Sequence, residues 1–460
     1  MAHPSDLSNG KQRHIRKGEP MLTKWIFPDL WQVMVLAFST VLHQRSAWRL
    51  GIILPAMLFS KGRKTITSWL RAAGIKHCYK AYYYFIGSLG KKTEAIATEL
   101  LKIMINRTHK NTTTVLMAID DSPTPRYGPK VTGAGMHRNP TPTPDGRKFV
   151  YGHVWVTLSA IARHKNWGTI GLPLLARMYV KAKDVKTIVL AFKSKTEQAV
   201  ELATWAYTGC KNLGKTLWIV TDGGFTRASF LKPVIEIGAV VVTRLRKDAV
   251  LYAEPKPSRK RKRGRPRKYG KRIKLTNCVT RPDGWFTTKA ILYGKQEIKD
   301  VKRFKALYKP AGCLVQVLIV WESTDCFRAF MCTDLTASAI QILEAVADRY
   351  AIEQNFCDLK EIEGAGQQQV RTLASNIGAF HLNLWLHSLV ELWAWDKSAK
   401  VLCDRRDSPW DDVNRRPSHA DKCAALRKAV LKQTFFSRSG TSHEVKKIHK
   451  QFYKLLKLVA

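Results

Sequence analysis

The sequence predicts an α/β fold: a mixed β-sheet core, a β-rich insertion within it, and a helical region before it. Three observations support this. Two strand-like apolar runs each lead into an aspartate, Asp120 and Asp222, and a later helical stretch contains Glu353. From residue 112 onward, short β-type runs alternate with segments of helical spacing, which is typical of a sheet covered by helices.

Residues 1 to about 105 are predicted to be helical, because their apolar runs contain few helix-breaking residues. The longest are Trp25 to Leu42 and Trp48 to Phe59. A third segment, Thr65 to Arg71, follows a basic stretch and is closed by Ala-Ala-Gly. It fits either the second half of a helix-turn-helix or an amphipathic helix with a solvated basic face.

The predicted core begins with strands and then alternates strands with helices. Residues 132–148, rich in Gly, Pro and basic residues, are predicted to form a loop. The predicted elements are strands at 114–119, 149–162 and 170–180, a helix at 186–207, a strand at 217–220, a helix at 226–237 and a strand at 239–245.

A basic segment at 259–274 interrupts this pattern. It contains no acidic residue, so we expect it to be disordered or ordered only by DNA. Its Arg263-Gly264-Arg265-Pro266 core resembles an AT-hook, whose arginines enter the narrow minor groove, and Arg267 and Lys268 extend it. Further β-type runs follow at 285–293, 315–321 and 327–332, then helices at 337–360 and 377–395 and a polar, basic tail.

Charge indicates a polyanionic partner. The chain has 78 Lys and Arg against 35 Asp and Glu, a formal charge of +43, and such self-repulsion favours a nucleic-acid partner. Its apolar stretches are too short to span a membrane, and the N-terminal residues lack the apolar core of a signal peptide. The nine cysteines include no Cys-x-x-Cys, which favours reduced thiols over disulfides or zinc. We therefore expect a soluble, cytoplasmic protein with no membrane partner.

Asp120, Asp222 and Glu353 are candidate ligands for divalent metal ions. Carboxylates at strand ends are held rigidly and suit a hard cation. A single aspartate after a strand is usually a turn former, but two of them with a third acid on a helix favour a site. Asp121 directly follows Asp120 and is the alternative ligand.

Spacing on the helix supports a shared face for Arg349, Glu353 and Lys360. Glu353 follows Arg349 by four residues and Lys360 follows Glu353 by seven, so their projections fall within about 40°. Glu353 borders an apolar stripe, where a carboxylate is costly unless compensated. A metal ion would compensate it, with Arg349 and Lys360 reaching toward phosphate. The alternative is a local ion pair between Arg349 and Glu353.

The block Arg349-x-x-x-Glu353-x-x-x-x-x-x-Lys360 resembles the end of the Y-R-E-K signature of insertion-sequence DDE transposases, in the branch related to insertion sequences 4 and 701. The resemblance covers about Thr112 to Trp395. It departs from the signature where Val346 occupies the place of the tyrosine, a role that Tyr350 could take. The family's spacing around the first metal ligand selects Asp120, with Asp121 as the alternative.

The resemblance implies a ribonuclease-H-like core and a two-metal mechanism. Two Mg²⁺ ions, for which Mn²⁺ can substitute, would be bound by Asp120, Asp222 and Glu353, while Arg349 and Lys360 hold phosphates. A tryptophan of the insertion, Trp321 or Trp285, would support a displaced base, with ordinary hairpin packing as the alternative.

The implied function is that of a DNA transposase. It would bind the terminal inverted repeats of its own element, cut them and join them to target DNA, as a nucleoid-associated homodimer in a synaptic complex. The alternatives are a DNA nuclease of the same fold without strand transfer, and a non-catalytic DNA-binding protein derived from a transposase. The expected domains are a helical DNA-binding domain (1–105), the catalytic core (106–250 and 336–400), a β-rich insertion with the basic segment (251–335) and a basic C-terminal tail (401–460).

Overall fold

The computed structural model describes residues 25–139, 146, 148–185, 191–255, 267–323, 326–403, 405 and 410–436. The helices are α1 (Asp29–Ser39), α2 (Gln44–Ala47), α3 (Leu50–Phe59), α4 (Ile66–Ala72), α5 (Tyr79–Leu89), α6 (Thr93–Thr108), α7 (Ala182–Val185), α8 (Lys195–Asn212), α9 (Ala228–Glu236), α10 (Leu275–Val279), α11 (Ala339–Asp348), α12 (Tyr350–Glu361), α13 (Leu373–Ala394), α14 (Ala399–Leu402) and α15 (His419–Phe436). The strands are β1 (Thr114–Pro125), β2 (Gly135–Arg138), β3 (Phe149–His164), β4 (Gly168–Tyr179), β5 (Thr216–Thr221), β6 (Val240–Leu245), β7 (Val250–Tyr252), β8 (Arg272–Lys274), β9 (Trp285–Leu292), β10 (Lys295–Tyr308), β11 (Cys313–Ser323) and β12 (Cys326–Cys332).

Five strands form one half of a mixed sheet, in the order β4-β3-β1-β5-β6. The first three are antiparallel neighbours, whereas β1, β5 and β6 run parallel to one another. Parallel neighbours need a crossover, and α8 and α9 belong to these connections. The predicted α/β fold class with a mixed sheet is thus confirmed.

The β-rich insertion continues this sheet. β12 pairs antiparallel with β6, and β11, β10 and β7 follow in order, giving one sheet of twelve strands among the described residues. The hairpin at 315–321 and 327–332 is confirmed as β11 and β12, but the fourteen-residue β10 was not predicted. Its many lysines and acids obscure the apolar alternation that marks a strand.

The N-terminal helices share one hydrophobic cluster with a face of the sheet. The main contact is between α5 and α13, whose backbones approach closely at Gly90 and Gly378. A Cβ added at Gly378 would lie 2.0 Å from the Ile86 oxygen, so only glycine fits this crossing. Thr65 caps the N-terminus of α4, and its side chain forms a capping box with Ser68.

Several boundaries differ from the prediction. β1 continues through Asp120 to Pro125, because β3 still pairs with it after β5 has ended. A short strand, β2, lies within the predicted loop at 132–148. The single helix predicted at 337–360 is two helices, α11 and α12, which meet at Arg349.

The basic segment and the C-terminal tail both contain regular elements. Arg263 and Arg265 lie outside the described residues, whereas Arg267 and Lys268 are exposed. The end of the basic segment forms β8, which pairs with β7, so the prediction of disorder was wrong for Arg272–Lys274. In the region predicted as a tail, α15 packs against α13 and buries Leu426 and Val430. Among the described helices, none is long and apolar enough to cross a membrane.

Candidate active site

Asp120 and Asp222 approach each other where two parallel strands diverge. The pairing of β1 with β5 ends at Ile119 opposite Thr221, so the next residue of each chain segment is an aspartate. The pKa of Asp120 is raised to about 7, mainly by burial and then by the negative charge of Asp222, while Arg349 opposes both. The strands thus hold the mostly buried carboxyl group of Asp120 near that of Asp222.

Arg349 connects Asp120 to Glu353. Its Nη1 donates to Asp120 Oδ2 at 2.8 Å and its Nη2 donates to Glu353 Oε1 at 2.5 Å. Burial alone would lower the pKa of Arg349, but the charges of Asp120 and Glu353 outweigh burial and raise it. The predicted local ion pair therefore exists, and the same guanidinium also binds a carboxylate of the sheet.

The junction between α11 and α12 positions Arg349. Asp348, which precedes it, is buried and accepts hydrogen bonds from Thr169 Oγ1 at 2.5 Å and Arg163 Nε at 2.7 Å. These bonds fasten the junction to β3 and β4. Glu353 then lies in the first turn of α12, where the helix dipole favours a negative side chain. Its side chain is 45% exposed, against 18% for Asp120.

The adjacent aspartates point to different neighbours, because successive side chains of a strand face opposite sides of the sheet. Asp121 Oδ2 accepts from Lys195 Nζ at 2.6 Å, at the start of α8. Asp120 instead meets Arg349. Asp121 therefore faces α8, whereas Asp120 faces the junction before α12, the helix that carries Glu353. This placement favours Asp120 as the ligand.

Asp222 is held by its own turn. Its Oδ1 accepts from the Gly224 amide at 2.9 Å, and its carbonyl oxygen accepts from Thr243 Oγ1 at 3.0 Å. A short 3₁₀ turn, Gly223–Phe225, starts at this residue. The turn-forming role expected of a lone aspartate is thus present, and it fixes the carboxylate beside Asp120.

Lys360 lies apart from the other four candidate residues, which are Asp120, Asp222, Arg349 and Glu353. It lies about 10 Å along α12 from Glu353, and within the described ranges no hydrogen bond or ion pair joins it to them. It is half-buried, and burial lowers its pKa. Its predicted role at a phosphate remains a prediction.

The candidate aromatic residues pack against one another. Trp285 and Trp321 are half-buried, and their ring centroids are 5.6 Å apart in an edge-to-face arrangement. The Trp285 indole also donates to the Arg281 oxygen at 3.0 Å. This agrees with the hairpin-packing alternative. Tyr350 is half-exposed beside Tyr293, and among the described residues no hydrogen bond joins it to Asp120, Asp222 or Glu353.

Sequence reasoning missed three residues that support the site: Lys195, Asp348 and Arg126. Arg126 follows β1, is buried, and donates to the Gly366 oxygen at 2.9 Å and to the Gln368 oxygen beyond α12. The closeness of Arg126 to Asp120 in the chain was the only feature of the sequence that could have indicated this role. Lys195 and Asp348 are distant in sequence from the strand residues they bind, so no pattern could have indicated them.

The donor types of Asp120, Asp222 and Glu353 suit a hard divalent cation, although their oxygens do not all lie within 4.8 Å of one another in this structure. Asp120, Asp222 and Glu353 offer carboxylate oxygens, the ligands that Mg²⁺ prefers. Asp120 gives a second indication, because burial and then the charge of Asp222 raise its pKa, and Arg349 opposes this rise only in part. A divalent cation would supply the missing positive charge.

Comparison with known proteins identifies a family for this chain. A family model described as DDE superfamily endonuclease matches residues 37–301. A structure of the piggyBac transposase synaptic complex with hairpin DNA is similar to this chain with a TM-score of 0.35 and 9% identity, covering 91% of this chain and 74% of that one. The likeness is too distant to specify function. A search of curated proteins gave no match.

Proposed function

This chain belongs to the DDE superfamily endonuclease family, and we propose that it is a metal-dependent DNA transposase. The observation that carries the proposal is the bridge made by Arg349, which brings Asp120 of β1 and Glu353 of α12 together beside Asp222. In this proposal, residues from two distant parts of the chain contribute to one acidic site in a strongly basic protein. We further propose the branch related to insertion sequences 4 and 701.

Asp120, Asp222 and Glu353 would hold the metal ions, Mg²⁺ or in its place Mn²⁺. When bound, such ions activate an oxygen nucleophile and stabilise the leaving oxygen of a phosphodiester. Asp120 and Asp222 hold fixed positions on the sheet, whereas Glu353 is the more exposed member. Arg349 and Lys360 would provide cationic donors to the phosphates that flank the scissile bond.

The DNA substrate would be bound mainly by charge. A formal charge of +43 favours the phosphate backbone, with affinity that depends on salt. We propose that residues 1–105 and the basic segment contact the terminal inverted repeats and the target DNA, with Arg263, Arg265, Arg267 and Lys268 along the minor groove. A homodimer would pair the two ends, in the cytoplasm at the nucleoid.

The experiment uses DNA carrying the sequences that flank the reading frame. Purified protein is incubated with labelled ends, a target plasmid and Mg²⁺, and both cut ends and joined products are measured. A transposase gives cut ends and joined products. Cutting without joining would support the nuclease alternative, and binding without cutting would support the non-catalytic alternative. Omission of divalent metal should abolish both products.

A further inference from the structure

We propose that Glu363, His419 and Cys423 form a zinc site, separate from the three-carboxylate site. Glu363 lies just beyond α12, while His419 and Cys423 are one turn apart on α15. Residues at this spacing share one face of a helix. The three side chains are buried and each directs one potential ligand atom into a common space.

The distances between the ligand atoms suit a tetrahedral ion. Cys423 Sγ lies 3.5 Å from His419 Nε2 and 3.8 Å from Glu363 Oε1, and the nitrogen and oxygen are 2.9 Å apart. With Zn–S near 2.3 Å and Zn–N and Zn–O near 2.0–2.2 Å, such atoms lie about 3.3–3.6 Å apart. Zinc therefore requires only a small widening between His419 and Glu363. The fourth position would take water.

The surroundings of His419 also match those of a metal-bound histidine. Its Nδ1 lies 2.8 Å from Glu391 Oε1, and the other oxygen of Glu391 accepts from Lys422. A carboxylate on one ring nitrogen fixes the tautomer and directs the lone pair of the other nitrogen at the metal. Nε2, the nitrogen so directed, faces Glu363 and Cys423.

Charge and ligand type select zinc over the ion proposed for the catalytic site. A thiolate and a carboxylate carry two negative charges, which a divalent ion neutralises in a buried setting. Cysteine sulfur prefers zinc, whereas the all-oxygen set of Asp120, Asp222 and Glu353 prefers magnesium. No Cys-x-x-Cys motif marks this cluster in the sequence, because Glu363 lies outside the helix that carries His419 and Cys423.

A metal-free hydrogen-bond network is the competing description. In it, a protonated His419 donates to both Glu363 and Glu391, and Cys423 remains a thiol. The two descriptions differ in what the protein binds. Only the zinc site retains zinc against dialysis, and only it produces a sulfur-to-metal charge-transfer band when cobalt replaces zinc.

The test measures metal content of the full-length protein by mass spectrometry after dialysis, together with the absorption spectrum of the cobalt-substituted protein. We expect one zinc ion per chain and a thiolate-to-cobalt band. Cys423→Ser should lose both, while Cys403→Ser, a matched change of a buried cysteine outside the cluster, should keep both. Asp222→Ala should also keep zinc, which separates this proposal from that of the catalytic site.

A wild-type protein that retains no zinc after supply of the metal, or binds cobalt without the sulfur band, would overturn the proposal. These two measurements need no variant, so poor folding of Cys423→Ser leaves the test intact. Zinc lost in His387→Ala but kept in Cys423→Ser would also overturn it, since the ion would then lie with His387 and Glu391.

Discussion

The Asp120 carboxylate accepts a 2.8 Å hydrogen bond from Arg349, which lies 229 residues further along the chain. This contact joins the first strand of the sheet to the helix junction that carries Glu353. A guanidinium that binds two carboxylates at once keeps them close while their like charges oppose the approach. The arrangement suggests that Arg349 organises the acidic residues as well as contacting phosphate.

Asp222→Ala should abolish DNA cleavage and leave binding of the element ends unchanged. The variant removes one metal ligand but none of the basic surface, so transition-state stabilisation is lost while ground-state binding survives. We expect cleavage to fall by more than about a hundredfold. Gel-shift and cleavage assays on the same DNA measure the two effects. Asp283→Ala, an exposed acid in the insertion, is the control.

Asp120→Asn should abolish cleavage, whereas Asp121→Asn should leave measurable activity. Asp121 binds Lys195 on α8, while Asp120 binds Arg349. The Asn side chain keeps the shape but loses the charge that a cation requires. Rates in Mg²⁺ compare the two variants directly. Activity retained in Asp120→Asn and lost in Asp121→Asn would reverse the ligand assignment.

Arg349→Lys should reduce cleavage strongly with little loss of stability. A single ammonium cannot reproduce the planar fork that binds Asp120 and Glu353 together, and we expect a loss of about a hundredfold. Arg163→Lys is a matched control, because Arg163 also binds two carboxylates, those of Glu344 and Asp348. If both variants lose cleavage equally, the effect lies in the helix junction rather than in the acidic site.

Replacing the basic residues of 259–265 by serine should flatten the dependence of DNA affinity on salt. Each phosphate contact contributes about 0.9 to the slope of log affinity against log salt, and six cations are removed. Substitution is preferable to deletion through Lys274, which would remove β8. Titrations across salt concentrations, with single and then paired element ends, measure the slope. A slope unchanged with both substrates would show that the segment does not contact DNA.

Gly378→Ala should destabilise the protein by about 1–3 kcal/mol, the usual cost of overpacking. The new methyl group would lie 2.0 Å from the Ile86 oxygen of α5. Gly51→Ala in α3 is the control, because a Cβ there meets no atom within 4 Å and alanine favours the helix by about 1 kcal/mol. In urea unfolding, Gly378→Ala should lower the midpoint and Gly51→Ala should raise it. Equal midpoints would show that the two helices can separate without cost.

The sequence predicted those parts of the fold and site that depend on local patterns. Apolar runs identified β5, β11 and β12, and the spacing of Arg349 and Glu353 gave their shared face. The sequence could not show that Asp120 lies within a strand rather than after it. That depends on β3, which continues to pair with β1 after the pairing of β1 with β5 has ended. The His419 cluster was likewise invisible, since its members come from separate elements.

The pairing of β12 with β6 affects how the protein can be divided. A shortened chain that omits the insertion would leave the backbone of β6 without its neighbour, creating an open strand edge in the middle of a large apolar layer. Such edges pair with other molecules and promote aggregation. Attempts to isolate a minimal nuclease by removing the insertion should therefore yield insoluble material unless a new edge strand or charged residues protect β6.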